Sequence, residues 1–329
     1  MTRMTLKKWL AQPNPSFTVP KKNRPSTHQT QAADAEMDGW VQWKGFSMDE
    51  INKLFGPILN KVYDFPNPPS PIQPAHKVIA NEDALEFATY QWNVQIVNMA
   101  LQVVAKGKKY LVWGPKGACK PTGQKIPDLT AVYSDTTSYE RTNHIAGDTK
   151  MLEPSFPKKS VTQESPSQNL AAKCLKQVLG YGIELGTRYG YMLGPHQLVV
   201  IRFSAAPAND STTTSSIAAT RPRRQRSGRR TTRFDTPPPT SRPPRTARSQ
   251  SPVNSSPWKE SPRAGRAKDK ARPEVQTVSW VTSKTGLSVC LAMFVIYFCA
   301  AVEHEWEAEY PEFSKDEALK AAVAAAAAL

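Results

Sequence analysis

The sequence predicts an α/β protein, a mixed central sheet flanked by helices, with a disordered basic insertion before its last strand and helix. Three observations carry that expectation. Apolar spacing runs helix, three strands, helix, two strands, and resumes with a strand and a helix after a gap. The gap is nearly free of aliphatics and crowded with Arg, Pro and Ser. Two carboxylates and a lysine fall where neighbouring strands bring them together.

At 329 residues the chain has room for one domain of roughly 200 residues plus tails. Residues 1–36, with Pro13, Pro15, Pro20 and Pro25, are expected to be a disordered tail. The domain begins at 37. Ser47-Met48-Asp49-Glu50 is a capping-box pattern, followed by the apolar stripe Ile51, Leu54, Phe55, Ile58, Leu59 and Val62 of a packing helix. Asn81 caps a long helix from Glu82 to Val104, with Leu85, Trp92, Ile96, Met99, Ala100 and Val103 at near-3.6 spacing. Tyr110 to Trp113 reads as a strand, and the glycine-rich run Gly114 to Gly123 as a hairpin connection. That run lacks the Gly-Lys-Ser/Thr of a phosphate loop.

Two further strands carry Ile126-Pro127-Asp128 and Gly147-Asp148-Thr149-Lys150. Downstream, Ala171, Cys174, Leu175, Val178 and Leu179 recur at helical spacing, with Ser167 as N-cap. Arg188 to Leu193 and Leu198 to Phe203 read as strands joined by the turn Gly194-Pro195-His196-Gln197.

Charge is spread unevenly. Of the net +15, Arg221 to Arg272 holds 16 Lys/Arg against three acidic residues. Residues 205–274 therefore read as a disordered insertion, because so few apolar groups cannot offset the entropy of ordering. Its arginine cluster from Arg223 to Arg230 suits a nuclear-localisation signal or phosphate contacts with nucleic acid. Ser251-Pro252, Ser256-Pro257 and Ser261-Pro262 offer proline-directed phosphorylation sites that lower the charge.

Residues 275–313 resume the domain with a strand, Val275 to Val281, and an uncharged run of 17 residues from Gly286 to Val302. Two readings of that run stay open. A helix apolar all round belongs in a core, and that reading is favoured. A membrane helix needs about 17–25 such residues, and here basic flanks precede and Glu303, Glu305, Glu307 and Glu309 follow. Residues 314–329 form an alanine-rich tail. Met1 to Leu10 lacks the apolar centre of a secretory signal peptide, so the expected compartment is nuclear or cytoplasmic. Cys119, Cys174, Cys290 and Cys299 show no paired spacing, which argues against a zinc site or disulfide framework.

The chemistry rests on the two short strands. Residues two apart in a strand share a face, so Asp148 and Lys150 project together. With Asp128 on the neighbouring strand, two carboxylates and an ammonium converge. Two carboxylates hold a hard cation such as Mg2+ or Mn2+, and a lysine beside it orients a water or neutralises charge on a phosphate. The triplets alone are weak, since solvated charges on two surface strands give the same pattern. His144 is read as a bystander. Gln177 and Tyr181, four apart, share one helix face.

Gly147-Asp148-Thr149-Lys150, Gln177-Val178-Leu179-Gly180-Tyr181 and Thr187-Arg188-Tyr189-Gly190-Tyr191, in this order of elements, resemble the PD-(D/E)XK nuclease-like superfamily. They are most similar to the PD-(D/E)XK-like domains of uncharacterised fungal proteins. The resemblance spans about residues 80 to 204 and resumes near 275. It implies a restriction-endonuclease-like sheet and metal-dependent phosphodiester hydrolysis on DNA or RNA. It also implies that Asp128, Asp148, the Thr149 carbonyl and the helix-1 glutamate (Glu82, or Glu86 one turn on) ligate Mg2+ or Mn2+. Lys150 is then the catalytic lysine, and Gln177 and Tyr181 support the site or the nucleic acid. The alternative is a non-catalytic interaction protein that keeps the fold, anchored to a membrane if 286–302 spans one.

Overall fold

The chain begins with a short strand, β1 (Thr2–Thr5), and a helix, α1 (Leu6–Leu10), whose Leu6, Trp9 and Leu10 are wholly buried. This computed structural model describes residues 1–20, 37, 39–115, 127–135, 143–151, 166–204, 273–281, 286–302 and 310–329. Residues 1–20 therefore correct the expected disordered tail, while 21–36 lie outside the described residues. The reason is visible in the bonds. Proline carbonyls remain good acceptors, and indole N–H groups find them: Trp92 donates to Pro13 at 3.1 Å and Trp280 to Pro15 at 2.9 Å. Asn14 donates to the Trp280 carbonyl at 2.7 Å, and Trp9 to that of Ile96 at 3.0 Å.

Next come β2 (Val41–Gln42) and α2 (Met48–Leu59), whose N-cap Ser47 accepts from the Glu50 amide at 3.3 Å as the capping pattern anticipates. Its Ile51, Leu54, Phe55, Ile58 and Leu59 are buried. Val62 is not part of that stripe. It opens β3 (Val62–Phe65), antiparallel to β1, and stays half exposed because alternation turns Tyr63 and Phe65 inward.

The long helix is three pieces: α3 (Glu82–Thr89), a π-helical turn (Tyr90–Val94) and α4 (Gln95–Ala105). Asn81 caps it through its side chain, accepting from the Ala84 amide at 2.8 Å. The π turn sits where Asn93 is buried and donates to Asn14 and to the Cys290 sulfur. Period reading missed it because one extra residue per turn hardly disturbs an apolar stripe.

The sheet is assembled from β4 (Leu111–Pro115), β5 (Leu129–Tyr133), β6 (Ala146–Thr149), β7 (Tyr189–Leu193), β8 (Gln197–Arg202) and β9 (Glu274–Ser279). A five-stranded mixed sheet runs β2-β9-β8-β7-β6, with β2 parallel to β9, β6 parallel to β7, and antiparallel ladders between. β4 and β5 form an antiparallel pair. Two main-chain bonds tie that pair to the sheet: Asp128 N to Gly147 O at 3.3 Å, and His144 N to Ala131 O at 2.9 Å. The constant register of these bonds makes β5 antiparallel to β6. The connection 116–126 lies outside the described residues.

One face of the sheet is covered by α5 (Pro166–Leu185), whose Cys174, Leu175, Val178 and Leu179 pack on Ala146, Met192, Val199, Ile201 and Phe203. α5 begins at Pro166, so Ser167 lies inside the helix and is not its N-cap. Proline suits a first helical position, where its missing N–H is not needed. The other face is covered by α6 (Val289–Val302), with α4, α1 and α2 behind it. Every residue of α6 from Val289 to Tyr297 is buried. Residues 289–302 therefore form a core helix. Among the described residues no helix is long and apolar enough to cross a membrane.

The C-terminal residues 314–329 are not a loose tail. α7 (Glu317–Ala328) is capped by Asp316 and packs on α2, burying Leu319 and Val323. All described residues belong to one unit, 1–208 with 268–329. Residues 209–267 lie outside the described residues. β8 and β9 flank that stretch with Arg202 opposite Glu274, an ion-paired couple at the end of the ladder.

Candidate active site

β6 is the centre of the site, and its sequence explains its position. Gly147 lies opposite Tyr191 in the parallel ladder, and the Tyr191 phenol occupies the space a Cβ at 147 would need. Glycine there lets the ring pass under the strand. The strand then turns Asp148 toward the α5 face, where it is 2% exposed, while Thr149 turns the other way.

Lys150 follows on the Asp148 side, and its Nζ lies 2.6 Å from Asp148 Oδ2. Asp128 enters from the start of β5. Its Oδ2 accepts from the Thr149 amide at 2.9 Å, and its carboxyl reaches hydrogen-bond contact with that of Asp148. Asp128, Asp148 and Lys150 are thus brought together, as the alternation argument requires.

Burial pushes the Asp148 carboxyl well above the usual carboxylate range. Lys150 pulls it down, and Asp128 pushes it further up. The same burial works against the Lys150 ammonium, but Asp148, Glu82 and Asp128 outweigh it and raise its pKa. The cluster therefore holds more negative than positive charge in a poorly solvated place, which favours a proton or a cation.

Glu82 and Glu86 both stand at this site, one turn apart on α3, which packs on β6. Glu82 acts on Lys150 and Cys174, whereas Glu86 acts on Tyr191. Among the described residues no three acidic, His or Cys side chains close on one point, so Glu82 does not complete a three-carboxylate cluster.

Gln177 and Tyr181 line the α5 side, with Gln177 Nε2 donating to the Tyr181 hydroxyl at 2.8 Å. Burial, followed by the charge of Asp148, pushes the Tyr181 phenol up to about 12, so it stays a neutral hydroxyl. Cys174 joins the same wall, its thiol raised to about 11 chiefly by burial. His144 instead packs edge-on against Tyr133.

The residues suit a hard divalent ion. Two carboxyls that meet, as those of Asp128 and Asp148 do, could both ligate one such ion. A third oxygen follows from the backbone. The Lys150 amide donates to Leu193 O at 2.8 Å, and a trans peptide points the preceding Thr149 carbonyl the opposite way, to the Asp128 side. Water completes such a shell for Mg2+.

Sequence reasoning named Tyr191 only within a motif and gave no role to it or to Tyr297, buried phenols in contact behind Gly147. Nothing in their spacing announces them. Only the parallel register of β6 with β7 brings Tyr191 under the acidic cluster. No family model, curated protein or solved structure matches this chain.

Proposed function

We propose that the protein hydrolyses phosphodiester bonds of nucleic acid with Mg2+ or Mn2+, on a PD-(D/E)XK nuclease-like fold. The observation that carries this reading is the convergence of Asp128, Asp148 and Lys150 on one end of the sheet, with Glu82 beside them. Asp128, Asp148 and the Thr149 carbonyl would hold the ion, which supplies Lewis acidity to a phosphate oxygen and to a water.

The rest is done by side chains. Lys150 keeps one edge in solvent and three donors, so it can leave Asp148 for the negative charge that grows on the phosphate. The Tyr181 hydroxyl, receiving a bond from Gln177, has its own proton to give to a phosphate oxygen or a water. Glu82 balances Lys150 while substrate is absent. The arginine-rich stretch 221–272 adds phosphate contacts and a route to the nucleus.

The test is cleavage of labelled DNA and RNA by the purified full-length protein in Mg2+ or Mn2+. Loss of cleavage in Asp148→Ala and Lys150→Ala supports the reading. Equal cleavage by parent and both variants defeats it.

A further inference from the structure

The helix that carries Glu82 and Glu86 also forms one wall of a cavity of about 280 Å3, lined by Gln73, His76, Gln91 and Gln95 with Pro71 and Ile72. That volume falls just below the ~300–1,000 Å3 of pockets for drug-sized molecules and suits a single ring system. Its lining is largely polar and partly open to solvent. Three primary amides offer a donor and an acceptor each, the complement of a base edge.

An aromatic ring stands beside it. Phe87, 49% exposed, meets the lining residue His76 edge to face at 5.2 Å between centroids. Phe87 and Gln91 are four apart, so they stack along one side of the helix. Tyr90 continues the side that carries Glu82 and Glu86. Gln91 follows Glu86 on the same helical run, so one run carries both the glutamates and a wall of the cavity.

We infer that this cavity takes one unstacked nucleobase, against Phe87 and under the amides of Gln73, Gln91 and Gln95, which makes single-stranded nucleic acid the substrate class. The inference rests on the nucleic-acid reading of the site but needs no cleavage. A duplex keeps its bases stacked and cannot offer one without cost, whereas a single strand can.

Binding of labelled single-stranded DNA, single-stranded RNA and duplex DNA to the full-length protein in EDTA separates the alternatives. Phe87→Ala, and Gln91→Ala with Gln95→Ala, should weaken single-strand binding about tenfold and leave duplex binding unchanged. Phe87→Trp should restore it. The DNA and RNA arms show whether the 2′-hydroxyl matters. No single-strand binding, or equal losses on duplex and single strand, overturns the inference. Phe87-dependent binding without metal-dependent cleavage would keep the base site and remove the hydrolytic reading.

Discussion

Lys150 Nζ lies 2.6 Å from Asp148 Oδ2, yet the two differ in their access to water: the lysine side chain is 16% exposed and the aspartate 2%. The lysine is the more solvent-accessible of the pair, and that asymmetry sets the first expectation.

Lys150→Ala should lower cleavage about 10²–10³-fold while metal still binds, because the lost contact matters most where charge develops. Asp148→Ala should lose metal affinity as well, seen by calorimetry with Mn2+. Gln177→Ala should do milder damage. Full metal affinity in Asp148→Ala would exclude it as a ligand.

A pH dependence follows from Asp148. Its folded pKa is raised, so between the ordinary carboxylate value and the raised one the folded state holds the extra proton, and stability falls as pH rises through that window. Mg2+ needs the ionised carboxylate, so its stabilising effect should grow across the same window. Tm measured with and without Mg2+ at rising pH, starting from the ordinary carboxylate range, should diverge upward, and Asp148→Asn should flatten both curves.

Gly147→Ala should destabilise by about 1–3 kcal/mol, since the new methyl meets the Tyr191 ring. Adding Tyr191→Phe should recover only part of that, because ring carbon as well as hydroxyl is in the way. Urea denaturation of both variants measures it.

Leu10→Ala should cost about 2–5 kcal/mol, as for any wholly buried leucine. An unstructured N-terminus would give no change in the same urea titration.

Removing 209–267 should leave Tm almost unmoved, because these residues fall outside the packed unit. Nucleic-acid binding should weaken and lose part of its salt dependence, since twelve arginines leave with the segment. A steep drop in Tm would contradict the division of the chain.

The sheet and its site were legible because their signals are local. Alternation aligns Asp148 with Lys150, the Gly-Pro turn fixes the β7–β8 hairpin, and Asn81 and Ser47 announce helix starts through one side-chain bond each. What escaped depends on partners distant in sequence. Pro13 and Pro15 read as disorder until indoles from residues 92 and 280 reach their carbonyls. The poly-alanine end looks unanchored until Leu319 and Val323 meet α2. Tyr191 enters the site only through a strand register that no local pattern encodes.

Arg202 facing Glu274 also bears on how this chain could change over time. The chain departs and returns at two points directly across a ladder, so whatever lies between is, topologically, an overgrown hairpin loop. Its length is free to drift, because loop closure cost rises only logarithmically with residue number. These roots lie beside Tyr189, whereas Asp148 pairs with Met192, about 10 Å further along the strand. New basic sequence can thus accumulate there without touching the carboxylates, and affinity can evolve separately from chemistry.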